Sequence, residues 1–219
     1  MQTPSIVLPP SPDLRLPHFQ LPSATIRLVS SLGNKVLFDH VQPAHSYTRN
    51  FYNYLLLSAF GISTSDATFG SGHANFKDTG GSVRNFTYST YAWYVINTAA
   101  DATCGIIVGR GSTAESFDSY ALATPCAHGT GSNQLSYRAM SMPTPSWTSG
   151  TKTFDLAVKR LFDNASGSTV TITETGIYAS AYPGSYKFMF CRDLLASSID
   201  VLNSGILTVT YTQSLVFPE

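Results

Sequence analysis

Gly109-Arg110-Gly111-Ser112-Thr113 follows directly on the apolar run Ile106-Ile107-Val108. A strand delivering a glycine-rich turn is how many phosphate sites begin, because free backbone N–H groups there can cradle an anion. The chemistry stops short at the next residues. A P-loop needs a lysine after its closing glycine, and no lysine lies between Lys77 and Lys152. A dinucleotide fingerprint needs a third glycine at position 114, which is Ala114. The following Ser112–Leu122 stretch is too short and too rich in Ser and Thr for a crossover helix. No nucleotide or other cofactor is therefore expected. Gly109 and Gly111 read as turn glycines, placed where a positive φ or close packing excludes a side chain.

Acid–base chemistry has little material. The glutamates are Glu115, Glu174 and Glu219, and nothing pairs one of them with any of the ten aspartates as facing carboxylates. His18, His40, His45, His73 and His128 show no metal-ligand spacing, and no nucleophile-elbow G-x-S-x-G occurs. No catalytic residue and no metal ligand is assigned. Glu174 instead falls in the alternating run "TVTITETGIYAS", on the face of Val170, Ile172 and Tyr178. A carboxylate buried there wants a cationic partner, and Arg192 in "CRDLL" is the nearest candidate for a structural pair. Cys104, Cys126 and Cys191 are widely spaced and odd in number, which reads as buried free thiols. Asn85 and Asn164 begin formal glycosylation sequons.

The elements that would position these residues are mostly strands. Charged residues make up 12 % of the 219-residue chain, while Tyr and Phe number 12 and 13. Polarity comes from Ser, Thr, Asn and Gly, a composition that favours strands over helices. The net charge is zero with no basic run, which argues against nucleic acid as a partner and favours association. No apolar stretch approaches the ~20 residues of a membrane span.

Residues 1–23 hold six prolines and read as an extended arm. Its apolar Ile6, Leu8, Leu14, Leu16 and Phe19 form a candidate assembly surface. Residues 24–219 read as one all-β domain, a β-sandwich or jelly-roll-like barrel of eight to ten strands with one helix over about 46–60. "ATIRLVSS" and "KVLFDHVQ" predict a hairpin about Gly33-Asn34. Ser46 or Thr48 can cap the helix, Phe51, Tyr54, Leu55 and Ala59 recur at helical spacing, and Gly61 suits its end. Asp163-Asn164-Ala165-Ser166-Gly167-Ser168 gives the clearest hairpin signal. In "NFTYSTYAWYVIN" the aromatics suggest either core and subunit interface or a sugar platform. On the second reading Tyr91, Trp93 and Trp147 would contact a host-surface glycan.

Four segments occur in order: "HSYTRNFYNYL", "GIIVGRGSTAESFDSYALATPCAHGTGSNQLSY", "RLFDNASGSTVTITETGIYAS" and "FMFCRDLLASSIDVLNSGILTVTYTQSLVF". Together they resemble a family of small structural proteins of tailed bacteriophages and prophages, over residues 45–217. The resemblance implies a non-enzymatic virion component assembled in the host cytoplasm. Its partners would be copies of itself and other virion proteins. A place in the tail, a tail appendage or the neck is expected, with capsid decoration as the alternative and a carbohydrate-binding adhesin as a second.

Overall fold

Period-2 burial organises the first hairpin. β1 (Ser23–Leu32) buries Ala24, Ile26, Leu28 and Ser30, and a two-residue turn at Gly33-Asn34 leads into β2 (Lys35–Ala44). The computed structural model of the chain describes residues 23–60, 75–85, 92–182 and 186–216. The arm residues Ile6, Leu8, Leu14, Leu16 and Phe19, together with Gly61 and Tyr91, lie outside them.

The described residues form an all-β, sandwich-like fold with one short helix. In the larger antiparallel sheet β1 lies between β2 and β12 (Gly205–Val216). β12 pairs in turn with β9 (Thr153–Asp163), which is bordered by β7 (Ser136–Tyr137) and β8 (Thr144–Thr148). The second sheet centres on β10 (Val170–Tyr182), paired with β11 (Tyr186–Val201), β5 (Ala92–Tyr94) and β6 (Gly105–Gly109). β3 (Asn75–Lys77) and β4 (Val83–Asn85) form a small hairpin. Ile26, Leu28 and Val209 from the first sheet share one buried cluster with Ile107, Ile172 and Ile199 from the second.

Three local expectations are corrected. The turn after Asp163 is not a hairpin, because β9 and β10 belong to different sheets. Turn residues mark a reversal without saying which strand comes next. Asn164 pins this corner instead: its amide donates to Ser168 O and Val201 O, and its backbone N–H donates to Gly205 O. β8, in "TPSWT", carries no alternation of burial and was not foreseen.

The third correction concerns α1 (Arg49–Phe60). Neither proposed hydroxyl caps it, since Thr48 Oγ1 donates to Met189 O and Ser46 Oγ to Glu115. Its buried face runs through Asn50, Asn53 and Leu57, whereas Leu55 is exposed. Asn50 donates to Lys77 O and accepts from Lys77 N–H, both at 2.9 Å, so a side-chain amide takes the place of a strand neighbour along β3. Asn53 donates to Asn75 O in the same way. An edge backbone buried under a helix needs such partners, which apolar side chains cannot supply.

The largest fully buried side chain is Arg160 on β9. It lies in step with Val158 and Phe162 on the inward face and stacks over the Tyr137 ring at 4.8 Å. Its five N–H donors meet the main-chain carbonyls of Arg138, Cys104, Ile106, Thr98 and Asp101, at 2.6–3.2 Å. One guanidinium thus gathers the irregular backbone around residues 98–106 onto the sheet. Arg160→Met should lower unfolding free energy by more than about 3 kcal/mol, since the buried carbonyls lose their donors. A loss below about 1 kcal/mol in urea denaturation would place the stabilisation of that backbone elsewhere.

Candidate functional site

The glycine-rich segment that opened the search for chemistry is an architectural corner. β6 is buried along its whole length, and the chain leaves it at Arg110. It returns at Thr124, where Arg110 N–H donates to Thr124 O at 2.8 Å and Cys126 N–H to Val108 O at 2.9 Å. Residues 111–123 fold back over β10, with a hydrogen-bonded turn at Ser116–Ser119 in place of a helical turn. Leu122 is buried there, and its N–H donates to the Tyr178 hydroxyl at 2.7 Å.

Glu174 holds this loop down. A register shift between Ile172 and Glu174 interrupts the face they were expected to share, and Glu174, Gly176 and Tyr178 meet the loop. Glu174 Oε1 accepts the N–H groups of Gly111 (3.0 Å) and Thr124 (2.8 Å). Oε2 accepts Ala123 N–H (3.1 Å) and Arg192 Nε (2.8 Å). Arg192 then donates to Ala114 O and Thr113 O, while Thr173 Oγ1 donates to Gly111 O. The Glu174 side chain is fully buried and that of Arg192 is 3 % exposed. Every strong acceptor and donor at the pair is turned toward protein, so the loop presents no open anion cradle.

Of the two reasons expected for these glycines at the corner, close packing is the one that holds. Neither has a positive φ; in this stretch that conformation belongs to Gly105 (φ +82°), at the start of β6. A Cβ on Gly111 would stand 2.5 Å from both Glu174 Oε1 and Ala123 Cβ. One on Gly109 would stand 2.6 Å from Glu174 Oε1 and 2.8 Å from Thr124 O. The carboxylate can reach the backbone only because both side chains are missing.

A second cluster joins residues from three distant segments. His45, Glu115 and Asp193 place one ligand-type atom each within 4.8 Å of one another. Ser46 occupies the space between them. Its Oγ donates to Glu115 Oε2 at 2.6 Å and lies 2.7 Å from His45 Nδ1. Asp193 Oδ1 accepts the N–H groups of His45 and Ser46, and Tyr211 donates to Oδ2. Burial pushes the Asp193 carboxyl above the usual carboxylate range, against the lowering effect of these N–H groups. The arrangement clasps the lead-in of α1 to β11 and the loop. Its donors are spent on that, so it reads as a structural clasp and not as a ligand set. Spacing could not have revealed it.

An aromatic cleft is a further candidate. Tyr47, Phe51 and Tyr54 from α1 and its lead-in face Trp93, Tyr94 and Phe190, around a cavity of about 230 Å³. Val158, Ile177 and Tyr211 line it from the two sheets. Tyr47 stacks on Phe51 at 4.4 Å, and Gln213 Nε2 reaches the Tyr47 hydroxyl at 3.5 Å. Burial pushes the Tyr47 hydroxyl up to about 12 and the Cys191 thiol well up, so both stay neutral. Cys104, Cys126 and Cys191 are all free and buried. The cleft suits apolar and ring-shaped groups; among the described residues its lining offers no acid–base pair.

Of the glycan candidates within the described residues, Trp93 and Trp147 are not brought together at this cleft. Trp93 packs among Phe76, Phe188 and Phe190, with ring centroids 4.7–5.8 Å apart. Trp147 lies on β8, 53 % exposed, and is not among the residues lining the cleft. Asn164 of the second sequon is buried with its amide engaged. Comparison with known proteins finds no matching family model, curated relative or solved structure.

Two substitutions test the carboxylate clasp. Glu174→Gln should cost about 3 kcal/mol in chemical denaturation, because it leaves the Arg192 charge buried and turns an amide donor toward backbone N–H groups. Gly111→Ala should cost about 1–3 kcal/mol through the overlap with Glu174 and Ala123. Unchanged midpoints for both would show that the clasp does not support the fold.

Proposed function

We propose that this chain is a non-enzymatic structural protein that assembles with copies of itself, as a virion component of a tailed bacteriophage. A place in the tail, a tail appendage or the neck is preferred over capsid decoration, on the motif resemblance alone. The observation that carries self-assembly is the outer edge of β2. Ten residues long, this strand pairs on one side with β1 and, among the described residues, stands at the end of its sheet. Val36 and Val41 are each 56 % exposed on it, and Leu37 is also exposed. Long edges with exposed apolar residues template pairing with another chain; of the charges on this strand, Asp39 is already paired with Arg27 of β1.

Further support comes from how the ionisable groups are used. Glu174, Arg192, Arg160 and Asp193 are buried and committed to holding backbone together, which is work for a rigid building block. Trp147, exposed on β8, favours the adhesin as a second reading. A glycan-array signal lost in Trp147→Ala would promote it.

Pairing Val36→Lys with Val41→Thr should leave thermal stability within a few degrees of the parent, because both sites are exposed. Sedimentation velocity should then show loss of the higher-order species. Deleting residues 1–22 should also leave a β-rich far-ultraviolet spectrum and abolish assembly. Normal assembly by both variants would refute the proposal.

A further inference from the structure

The aromatic cleft and the proline-rich arm are chemically matched and lie close together. Ser23 opens β1 opposite Ser214, and Ala24 stands opposite Gln213 on one side and Ala44 on the other. Gln213 and Tyr47, three residues beyond Ala44, both line the cleft. The arm therefore leaves the sheet within about 10 Å of the cleft wall, given ordinary strand and chain spacings. Its 22 residues span up to about 70 Å when extended.

The segment nearest the exit is Leu14-Arg15-Leu16-Pro17-His18-Phe19-Gln20-Leu21-Pro22. Its prolines favour a polyproline-type extended chain, whose apolar side chains and proline rings fit grooves lined with aromatic rings. Such a chain has already lost much of its freedom, so docking orders little more of it. Among the described residues, the cleft offers aromatic rings, aliphatic floor residues and no charged side chain. The segment brings Leu14, Leu16, Phe19 and Leu21, which water would otherwise cover.

We propose that the cleft formed by Tyr47, Phe51, Tyr54, Trp93, Tyr94 and Phe190 is the docking site of the arm segment 14–21 of this chain, with Phe19 entering among the rings. The inference depends on the assembly reading only for whose cleft is filled. Within one molecule the arm would act as a latch; between copies it would act as the link that holds neighbours together.

The test uses the full chain with p-benzoyl-phenylalanine in place of Phe19, mixed in equal parts as light and 15N-labelled protein and irradiated. Mass spectrometry locates the cross-links. Adducts concentrated at Tyr54, Trp93, Tyr94 or Phe190 support the docking site. Adducts confined to residues outside the cleft overturn it. Light–heavy cross-linked pairs at the cleft support the arm as an intermolecular link. Cross-links within single chains only keep the docking site and remove the arm from the assembly reading.

Discussion

A backbone laid across the covered face of a sheet must find partners for its N–H groups, and this constraint shapes the centre of the molecule. Loop 111–123 lies over β10, where its inward amides at Gly111 and Ala123 face the buried Glu174 carboxylate. Glu174 answers with one carboxylate that accepts the loop amides of Gly111 and Ala123, the adjoining Thr124 amide and the Arg192 guanidinium. Arg192 completes the exchange by donating to two loop carbonyls. Without the acid the loop would carry unpaired donors, and without the arginine the acid would be a bare buried charge. Gly109 and Gly111 follow from the same closeness.

The same solution recurs through the interior. Arg160 serves five carbonyls, Asn50 serves a strand edge, and Asn164 ties together the two corners where the chain changes sheets. Asp78, Arg160, Glu174, Arg192 and Asp193 are buried and engage backbone, while the edge strand β2 exposes Val36, Leu37 and Val41. A buried interior held by polar groups and an apolar edge thus arise from one distribution of residues. This distribution is what supports reading the protein as a building block.

Much of the sandwich was legible because β1, β9 and β12 alternate in burial, and alternation needs only the local chain. The Glu174–Arg192 pair was legible too, since a carboxylate within an apolar strand demands a cation and the next strand supplies one. Arg160 could have been found by the same logic, being in step with Val158 and Phe162. The corner at Asn164 was misread because its turn residues suit a hairpin and a sheet-changing connection equally. The clasp of His45, Glu115 and Asp193 was not legible, as only the tertiary fold sets its neighbours. The aromatic cleft was half visible: Trp93 and Tyr94 stood out, but their partners Tyr54 and Phe190 come from other elements.

The central claim is that the Glu174 carboxylate makes loop 111–123 part of the folded core. Native-state hydrogen exchange of the unmodified protein reads this directly, residue by residue. The account predicts that the amides of Gly111, Ala123 and Thr124 exchange as slowly as those of Ile107 and Ile177 in the paired strands, opening only with global unfolding. Exchange of these three amides at the rate of the exposed segment around Ser116 and Phe117 would contradict it.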